Sequence, residues 1–153
     1  GGGGGTAIAV NCDIRIAADD AKFGVPAGKL GLGYRFVGVK RLTDVVGPQF
    51  TAEIFFTARQ FNAQEALQMN LVNRVVPASE LEQYTTDYAK TIAGNAPLTL
   101  ASVKASLIEY GKAPAERDLE KLQRMVDVCY KSEDYKEGQA AFAEKRKPVF
   151  KGK

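Results

Sequence analysis

Five consecutive glycines, residues 1–5, open the sequence and are followed at once by the short apolar stretch TAIAVNC. Glycine lets a backbone approach a ligand closely, and the amides at a helix N-terminus point toward negative charge. Such a loop suits a phosphate, or the oxyanion that develops when a carbonyl group reacts. It is neither a Walker loop nor a GxGxxG motif, because no Gly-Lys-Ser/Thr follows and Thr6 breaks the spacing. A flexible linker is the alternative, although a linker would not require the apolar, helix-like stretch that follows.

The carboxylates form no comparable pattern. A general acid/base pair needs two acids in one apolar pocket. Asp19 and Asp20 are neighbours at a predicted turn, where adjacent side chains point apart, so we interpret them as solvated turn residues. Glu53 lies on a predicted helix beside Ile54 and Phe55 and is expected at the surface edge of that helix. The sequence therefore offers no evident acid/base pair.

The end of the chain combines an aromatic residue with a basic cluster. Phe142 precedes Lys145, Arg146 and Lys147, and residues 145–153 carry five basic side chains and no acidic one. An aromatic ring one turn before a lysine suits stacking on a nucleotide base while the lysine meets a phosphate. The alternatives are that Phe142 packs the last helix and that the tail is solvated. Basic and aromatic residues are not interleaved elsewhere, so nucleic acid is not expected as a partner.

Missing residue types exclude several classes of site. The 153 residues include no histidine, so they supply neither a Ser-His or Cys-His nucleophile nor an imidazole metal ligand. Cys12 and Cys129 form no CxxC pair, so we predict no metal site and expect a reducing, cytoplasmic location. No run of about 18 apolar residues is present, so no membrane span is predicted.

Length, composition and charge are those of an ordinary globular protein. About 150 residues per domain gives one domain, and 45% hydrophobic with 25% charged residues excludes collagen-like, disordered and coiled-coil classes. The formal net charge is +3, and the five basic residues of the tail leave −2 for the rest of the chain. The charge is therefore concentrated at the C-terminal end, where it could meet a phosphate.

The elements that must position these residues are mostly helices. Two convincing strands are predicted, near residues 13–18 and 71–76, and the Gly-rich residues 22–38 are predicted as loop. Several helices separate the strands, so direct pairing between them must be parallel. Two strands alone are marginal in water. We therefore predict that the chain is the back part of a larger fold and that it oligomerises.

The helix signals are local and specific. A helix is expected to stop at Gly47-Pro48 and a second to follow it. Asn62 with Glu65 predicts a capping box. Further helices are predicted to open at Pro114 and at Ser132.

Several sequence blocks together resemble one known family. The segment GGGTAIAVNCDIRIAADDAKFGVPAGKLGL is similar to the crotonase (enoyl-CoA hydratase/isomerase) superfamily, whose pattern is a triple glycine, a short helix, CD, an IAA-type strand and FG-x-P. The resemblance continues through FTARQFNAQEALQMNLVNRVVP to AFAEKRKPVF. It implies an α/β fold of the ClpP/crotonase spiral type. Residues 1–77 would be the C-terminal part of that core, and residues 78–153 a helical trimerisation region. In the family, a half built of ββα units precedes the triple glycine, which accounts for the shortage of strands.

The resemblance also implies a ligand and a site. Acyl-CoA thioesters bind in the family, and two backbone amides hold the oxygen of the thioester enolate. One of these amides maps to Gly4, and the other belongs to the preceding half. Phe142 and Lys145 match positions that meet the adenine and phosphate of CoA. A homotrimer or dimer of trimers is implied, with no cofactor other than the CoA part of the substrate.

The departures from the family pattern concern the acid/base groups. Ala7 and Ala27 occupy the positions of the two hydratase glutamates. A methyl group cannot transfer a proton, so ordinary hydratase activity is not expected. In residues 33–42, which replace the family's GxGGTQRL segment, Tyr34 and Arg35 stand where the acyl pocket usually opens. Both are candidate replacements for the missing acids. Arg35 is also a candidate partner for a carboxylate on the acyl group, the alternative being a surface position.

Three functions stay open at this point. The first, which we favour, is an acyl-CoA enzyme of the lyase or isomerase type with altered chemistry. A ring-forming enzyme like dihydroxynaphthoyl-CoA synthase is a specific option within it, because those enzymes carry a small residue at the second glutamate's position. The second is a non-catalytic scaffold that binds CoA. The third is an oligomerising fragment without a ligand.

Overall fold

A computed structural model of the chain describes residues 13–153. The chain divides into two compact units, of which the first ends at Thr86 and the second begins at Asp87. The first unit mixes short strands with helices, and the second is helical. In chain order the elements are β1 (Ile16–Ala18), β2 (Lys22–Phe23), α1 (Ala27–Leu30), α2 (Phe36–Thr57), β3 (Phe61–Asn62), α3 (Ala63–Gln68), β4 (Arg74–Val76), a 3-10 turn (Ala78–Glu80), α4 (Leu81–Ala93), α5 (Pro97–Tyr110), a second 3-10 turn (Pro114–Glu116), α6 (Leu119–Tyr130) and α7 (Glu133–Ala143).

Two small sheets organise the first unit. β1 pairs with β4 in parallel, with Ala17 opposite Val75, so the predicted parallel pairing is confirmed although both strands are shorter than predicted. β2 pairs with β3 antiparallel. The prediction of residues 22–38 as loop is wrong at β2, at α1 and from residue 36 onward. A two-residue strand has no alternation to read, so its pairing depends on a partner that is distant in sequence.

The long helix α2 is broken where the sequence predicted a stop. Gly47 has φ 84° and ψ 166°, outside the helical region, and Pro48 restarts the helix. Proline has no N–H to donate, so it is tolerated at the first position of a helical segment. The hydroxyl of Thr51, in the first turn after the break, donates to the Gly47 carbonyl at 2.8 Å. Two helices therefore join directly across a kink.

The capping box that begins α3 is confirmed. The Glu65 amide donates to the Asn62 side chain at 2.8 Å, and the Asn62 amide donates to the Glu65 carboxylate at 3.0 Å. The Arg59 guanidinium also pairs with Glu65 at 2.6 Å and lies over the Phe61 ring, 3.8 Å from its centroid. The Arg59 guanidinium and the Asn62 amide together lower the pKa of Glu65 to about 2.

The core of the first unit is apolar and includes the kinked helix. The largest of its fully buried side chains belong to Phe61, Ile54 and Leu71. Burying a side chain of this size typically stabilises a fold by about 1.5–3 kcal/mol. The cluster further contains Ala17, Val25, Ala27, Leu42, Val46, Ala66, Met69 and Val72.

In the second unit, α5 packs against α6. Glu109, near the end of α5, is buried, and its carboxylate accepts the Asp118 amide at 2.6 Å and pairs with Lys112 at 2.8 Å. These partners hold the pKa of Glu109 below its usual value. The prediction that Pro114 opens a helix is wrong, because Pro114 begins only the 3-10 turn Pro114–Glu116. The next helix, α6, begins after Asp118, whose side chain accepts the Lys121 amide as its cap.

None of the helices in the part of the chain that the structure describes is both long and apolar enough to span a lipid bilayer.

Candidate active site

Three of the site residues predicted from the sequence line one cavity in the first unit. The cavity has a volume of about 520 Å³ and is formed by residues 25–27, 30, 32–35, 37 and 38, which include Ala27, Tyr34 and Arg35. They meet because α1 and the start of α2 follow one another with only a short connection. The structure therefore brings together residues that the sequence connected only through the family pattern.

The lining of this cavity is apolar apart from two groups. Among its described lining residues, the titratable side chains are Tyr34 and Arg35, and no carboxylate contributes. Ala27, at the start of α1, is buried and presents only a methyl group. The lining thus supplies one hydroxyl and one guanidinium, both of which can donate hydrogen bonds.

Tyr34 is held on two sides. Its ring meets the Phe55 ring edge-on, with 4.7 Å between centroids and an interplanar angle of 65°. On the other side it lies close to the backbone of Gly38, where an added Cβ would be 2.5 Å from Tyr34 Cε1. Aromatic pairs favour this edge-on geometry. Tyr34 is therefore a fixed wall of the cavity that still exposes 44% of its surface.

Arg35 has a different environment. It precedes α2 with extended backbone and its side chain does not cap the helix. It is exposed, and no hydrogen bond or ion pair joins its guanidinium to another residue within 13–153. The alternative of a surface position is thus confirmed for Arg35, which also lines the cavity, and its pairing with an acyl carboxylate stays a prediction.

Phe142 and Lys145 lie in the second unit, at the end of α7. Phe142 is 88% exposed, so the alternative that it packs the last helix is wrong. Lys145 is also exposed and has a positive φ of 54°, and its amide donates to the Phe142 carbonyl at 3.3 Å. The two candidate CoA-binding residues are therefore adjacent and accessible. Phe142 also lines a second, apolar cavity of about 670 Å³ within this unit.

Two predicted residues, Gly4 and Ala7, lie outside the described residues, as does the rest of the glycine run. In the described part of the chain, Cys, Asp and Glu side chains do not gather in groups of three or more that could hold a metal ion.

Sequence reasoning missed the contacts that order the basic tail. Asp134 is buried, and its two carboxylate oxygens accept the amides of Lys151 and Gly152, each at 2.8 Å. Arg146 forms ion pairs with Glu137 and Glu144. The alternative of a wholly solvated tail is therefore wrong for the backbone of residues 151 and 152, whereas Arg146 is exposed but paired. The acids that bind the tail precede the tail residues they hold, so counting charge within the tail could not find them.

Comparison with known proteins gives a consistent family. The sequence model for enoyl-CoA hydratase/isomerase matches residues 1–153. Among curated proteins, the methylmalonyl-CoA decarboxylase of Escherichia coli K12 is 39% identical over 152 residues, covering 98% of this chain and 58% of the relative. The short-chain-enoyl-CoA hydratase of Clostridium acetobutylicum is 38% identical over 145 residues, covering 95% and 56%.

Structural similarity agrees with the sequence matches. The crystal structure of an enoyl-CoA hydratase/carnithine racemase from Magnetospirillum magneticum superposes with a TM-score of 0.86 at 36% identity, covering 99% of this chain and 56% of that one. The chain thus spans somewhat more than half the length of the proteins it matches. It belongs to the enoyl-CoA hydratase/isomerase family and has the crotonase fold of that family.

Proposed function

We propose that this chain is part of an acyl-CoA enzyme that forms a thioester enolate by decarboxylation rather than by removing a proton. The substrate class is a CoA thioester with a carboxylate on C2. The bond between C2 and the carboxylate breaks, its electron pair forms the enolate, CO₂ leaves and a proton then adds to C2. A relative that is 39% identical to this chain over 152 aligned residues is named for this reaction.

The observation that carries the proposal is the chemistry of the cavity lining. Hydration and isomerisation need a carboxylate to move protons, whereas decarboxylation generates the enolate without a base. The described lining includes Ala27, which we assign to the second glutamate's position from the family pattern, and it includes no carboxylate. An apolar lining also favours a reaction in which a localised carboxylate charge spreads into the enolate.

Each candidate residue then has a role in the proposal. The amide of Gly4 stabilises the enolate oxygen, a contact whose loss typically costs about 10²–10³ in rate. Arg35 attracts the carboxylate of the incoming acyl group. The Tyr34 hydroxyl donates the proton that completes the product. Phe142 stacks on the adenine, and Lys145 meets a phosphate of CoA.

The direct test compares two substrates on the full protein. Methylmalonyl-CoA is expected to release CO₂, measured by trapping, while crotonyl-CoA is expected to keep the absorbance of its conjugated thioester. Tyr34→Phe is expected to lower kcat and to leave KM nearly unchanged. Arg35→Gln is expected to raise KM for the substrate that carries the carboxylate. Tyr110→Phe, which removes the same hydroxyl from an exposed tyrosine in the second unit, is the matched control for Tyr34→Phe and is expected to leave both constants unchanged.

Other outcomes separate the alternatives. Rapid hydration of crotonyl-CoA would show that the assignment of Ala7 and Ala27 to the glutamate positions is wrong. Binding of CoA without turnover of either substrate would favour the non-catalytic scaffold. An absence of CoA binding would favour a fragment without a ligand.

The proposal includes the setting of the enzyme. We infer a homotrimer or dimer of trimers, a cytoplasmic location and no cofactor beyond the CoA part of the substrate. Support for assembly comes from large apolar side chains that α5 exposes, among them Val103, Leu107 and Ile108. Light scattering tests this inference, and a monomer of the full protein would contradict it.

A further inference from the structure

The end of α7 has a backbone geometry that its sequence does not favour. The Arg146 amide donates to the Ala141 carbonyl at 3.0 Å and the Lys145 amide donates to the Phe142 carbonyl at 3.3 Å. This hydrogen-bond pair is the Schellman motif, in which the residue with positive φ is usually glycine. Here that residue is Lys145, with φ 54°. A lysine in this conformation needs support from its surroundings.

That support comes from the next residue. The Arg146 guanidinium donates to both carboxylate oxygens of Glu137, at 2.7 and 2.9 Å, and its Nε donates to Glu144 at 2.6 Å. Glu137 also accepts the Val149 amide at 2.8 Å. One carboxylate therefore holds the chain on both sides of residues 147 and 148.

The ion pair between Glu137 and Arg146 differs from an ordinary pair on the protein surface. Exposed ion pairs usually contribute little, unless they are bidentate or belong to a network. The Glu137 side chain is only 25% exposed, and the pair with Arg146 is bidentate. The Arg146 guanidinium and the Val149 amide lower the pKa of Glu137 to about 2, so the carboxylate stays ionised at any ordinary working pH.

We propose that Glu137 is a positioning residue for the nucleotide end of CoA. By holding Arg146 it fixes the backbone of Lys145 in the left-handed region, and so sets the direction in which the lysine side chain leaves the backbone, three residues after the exposed Phe142. This inference rests on the CoA site proposed above. It adds a residue that does not touch the ligand and acts through Lys145.

The test measures binding of CoA to the full chain by calorimetry. Lys145→Ala is expected to weaken binding at least about tenfold, the loss of a charge-assisted contact. Glu137→Gln keeps an oxygen for the Val149 amide but loses the ion pair, and is expected to weaken binding about three- to tenfold. Glu133→Gln removes the same charge from an exposed position on the same helix and is the matched control, expected to bind like the wild type.

The double variant Lys145→Ala/Glu137→Gln decides whether Glu137 acts through the lysine. Residues that act as a unit are not additive, so the double variant is expected to bind CoA no more weakly than Lys145→Ala alone. Adenosine 3′,5′-bisphosphate, the nucleotide end of CoA by itself, is expected to show the same pattern. If Glu137→Gln fails to fold by circular dichroism, Arg146→Lys replaces it, since it keeps the charge but loses the bidentate fork.

Each result has a distinct meaning. Full CoA affinity in Lys145→Ala would overturn the CoA site and this inference with it. Weak binding by Lys145→Ala together with wild-type binding by both Glu137→Gln and Arg146→Lys would overturn only the positioning role. An additive loss in the double variant would also overturn it, because Glu137 would then act independently of Lys145.

Discussion

The ring of Tyr34 lies so close to the backbone of Gly38 that an added Cβ would stand 2.5 Å from Cε1 and 3.2 Å from Cδ1. Gly38 lies inside α2, where glycine is otherwise unfavourable. Its presence is therefore explained by the space that the tyrosine ring occupies. The contact couples the start of a helix to the wall of the candidate acyl cavity.

Gly38→Ala is expected to destabilise the fold by about 1–3 kcal/mol, because the added methyl group displaces the ring of Tyr34 from its contact with the Phe55 ring. Urea unfolding measures the change. In a Tyr34→Ala background the same substitution is expected to become neutral or stabilising by up to about 1 kcal/mol, as alanine is the better helix former. An equal loss in both backgrounds would show that the ring is not the cause.

Lys145→Gly separates stability from binding. Glycine adopts the left-handed region without the steric cost that an L side chain carries, so the free energy of unfolding is expected to rise by about 1 kcal/mol. Affinity for CoA is expected to fall, because the ammonium is lost. Asn70→Gly, at another position with positive φ, is the control and is expected to leave CoA binding unchanged. A destabilised Lys145→Gly chain would contradict the strain argument.

Asp134→Ala is expected to destabilise the second unit by roughly 1–3 kcal/mol, because it leaves the amides of Lys151 and Gly152 without their acceptor. Hydrogen exchange at these two amides measures the effect locally and is expected to accelerate. Glu133→Ala, one residue earlier and exposed, is the matched control. Unchanged exchange at both amides in Asp134→Ala would mean that the tail is held by other contacts.

Stability is expected to depend on pH in acid through Glu65. Its pKa is lowered from 4.5 to about 2 by the Arg59 guanidinium and the Asn62 amide. A folded-state pKa below the unfolded value stabilises the fold above about pH 4.5, and this contribution is lost as pH falls toward 2. Glu65→Gln is therefore expected to flatten the fall of the urea midpoint between pH 4.5 and 2.

Glu137 has a pKa lowered to about 2 as well, so part of the acid dependence is expected to survive in Glu65→Gln. The double variant Glu65→Gln/Glu137→Gln is expected to flatten the curve further. If the urea midpoint of the double variant fell with pH as steeply as that of the wild type, neither the Glu65 nor the Glu137 ion pair would stabilise the folded chain.

The sequence by itself determined the features that depend on neighbours along the chain and on block order. The Asn62–Glu65 capping box and the Ser132 cap involve groups three residues apart, so their residue types suffice to predict them. The kink at Gly47-Pro48 follows from the missing N–H of proline. The order of the motif blocks sufficed to identify the family, because such blocks are shared among its members.

Only the tertiary structure decided the contacts that span longer separations. The position of the Tyr34 ring between Gly38 and Phe55 depends on how the two ends of α2 pack against the segment that precedes the helix. The ion pair between Glu137 and Arg146 joins residues nine positions apart across a chain reversal. Neither the 3.6-residue period of a helix nor the two-residue period of a strand predicts such a pair. Side-chain packing and backbone reversal, rather than local propensity, therefore set the geometry of both candidate sites.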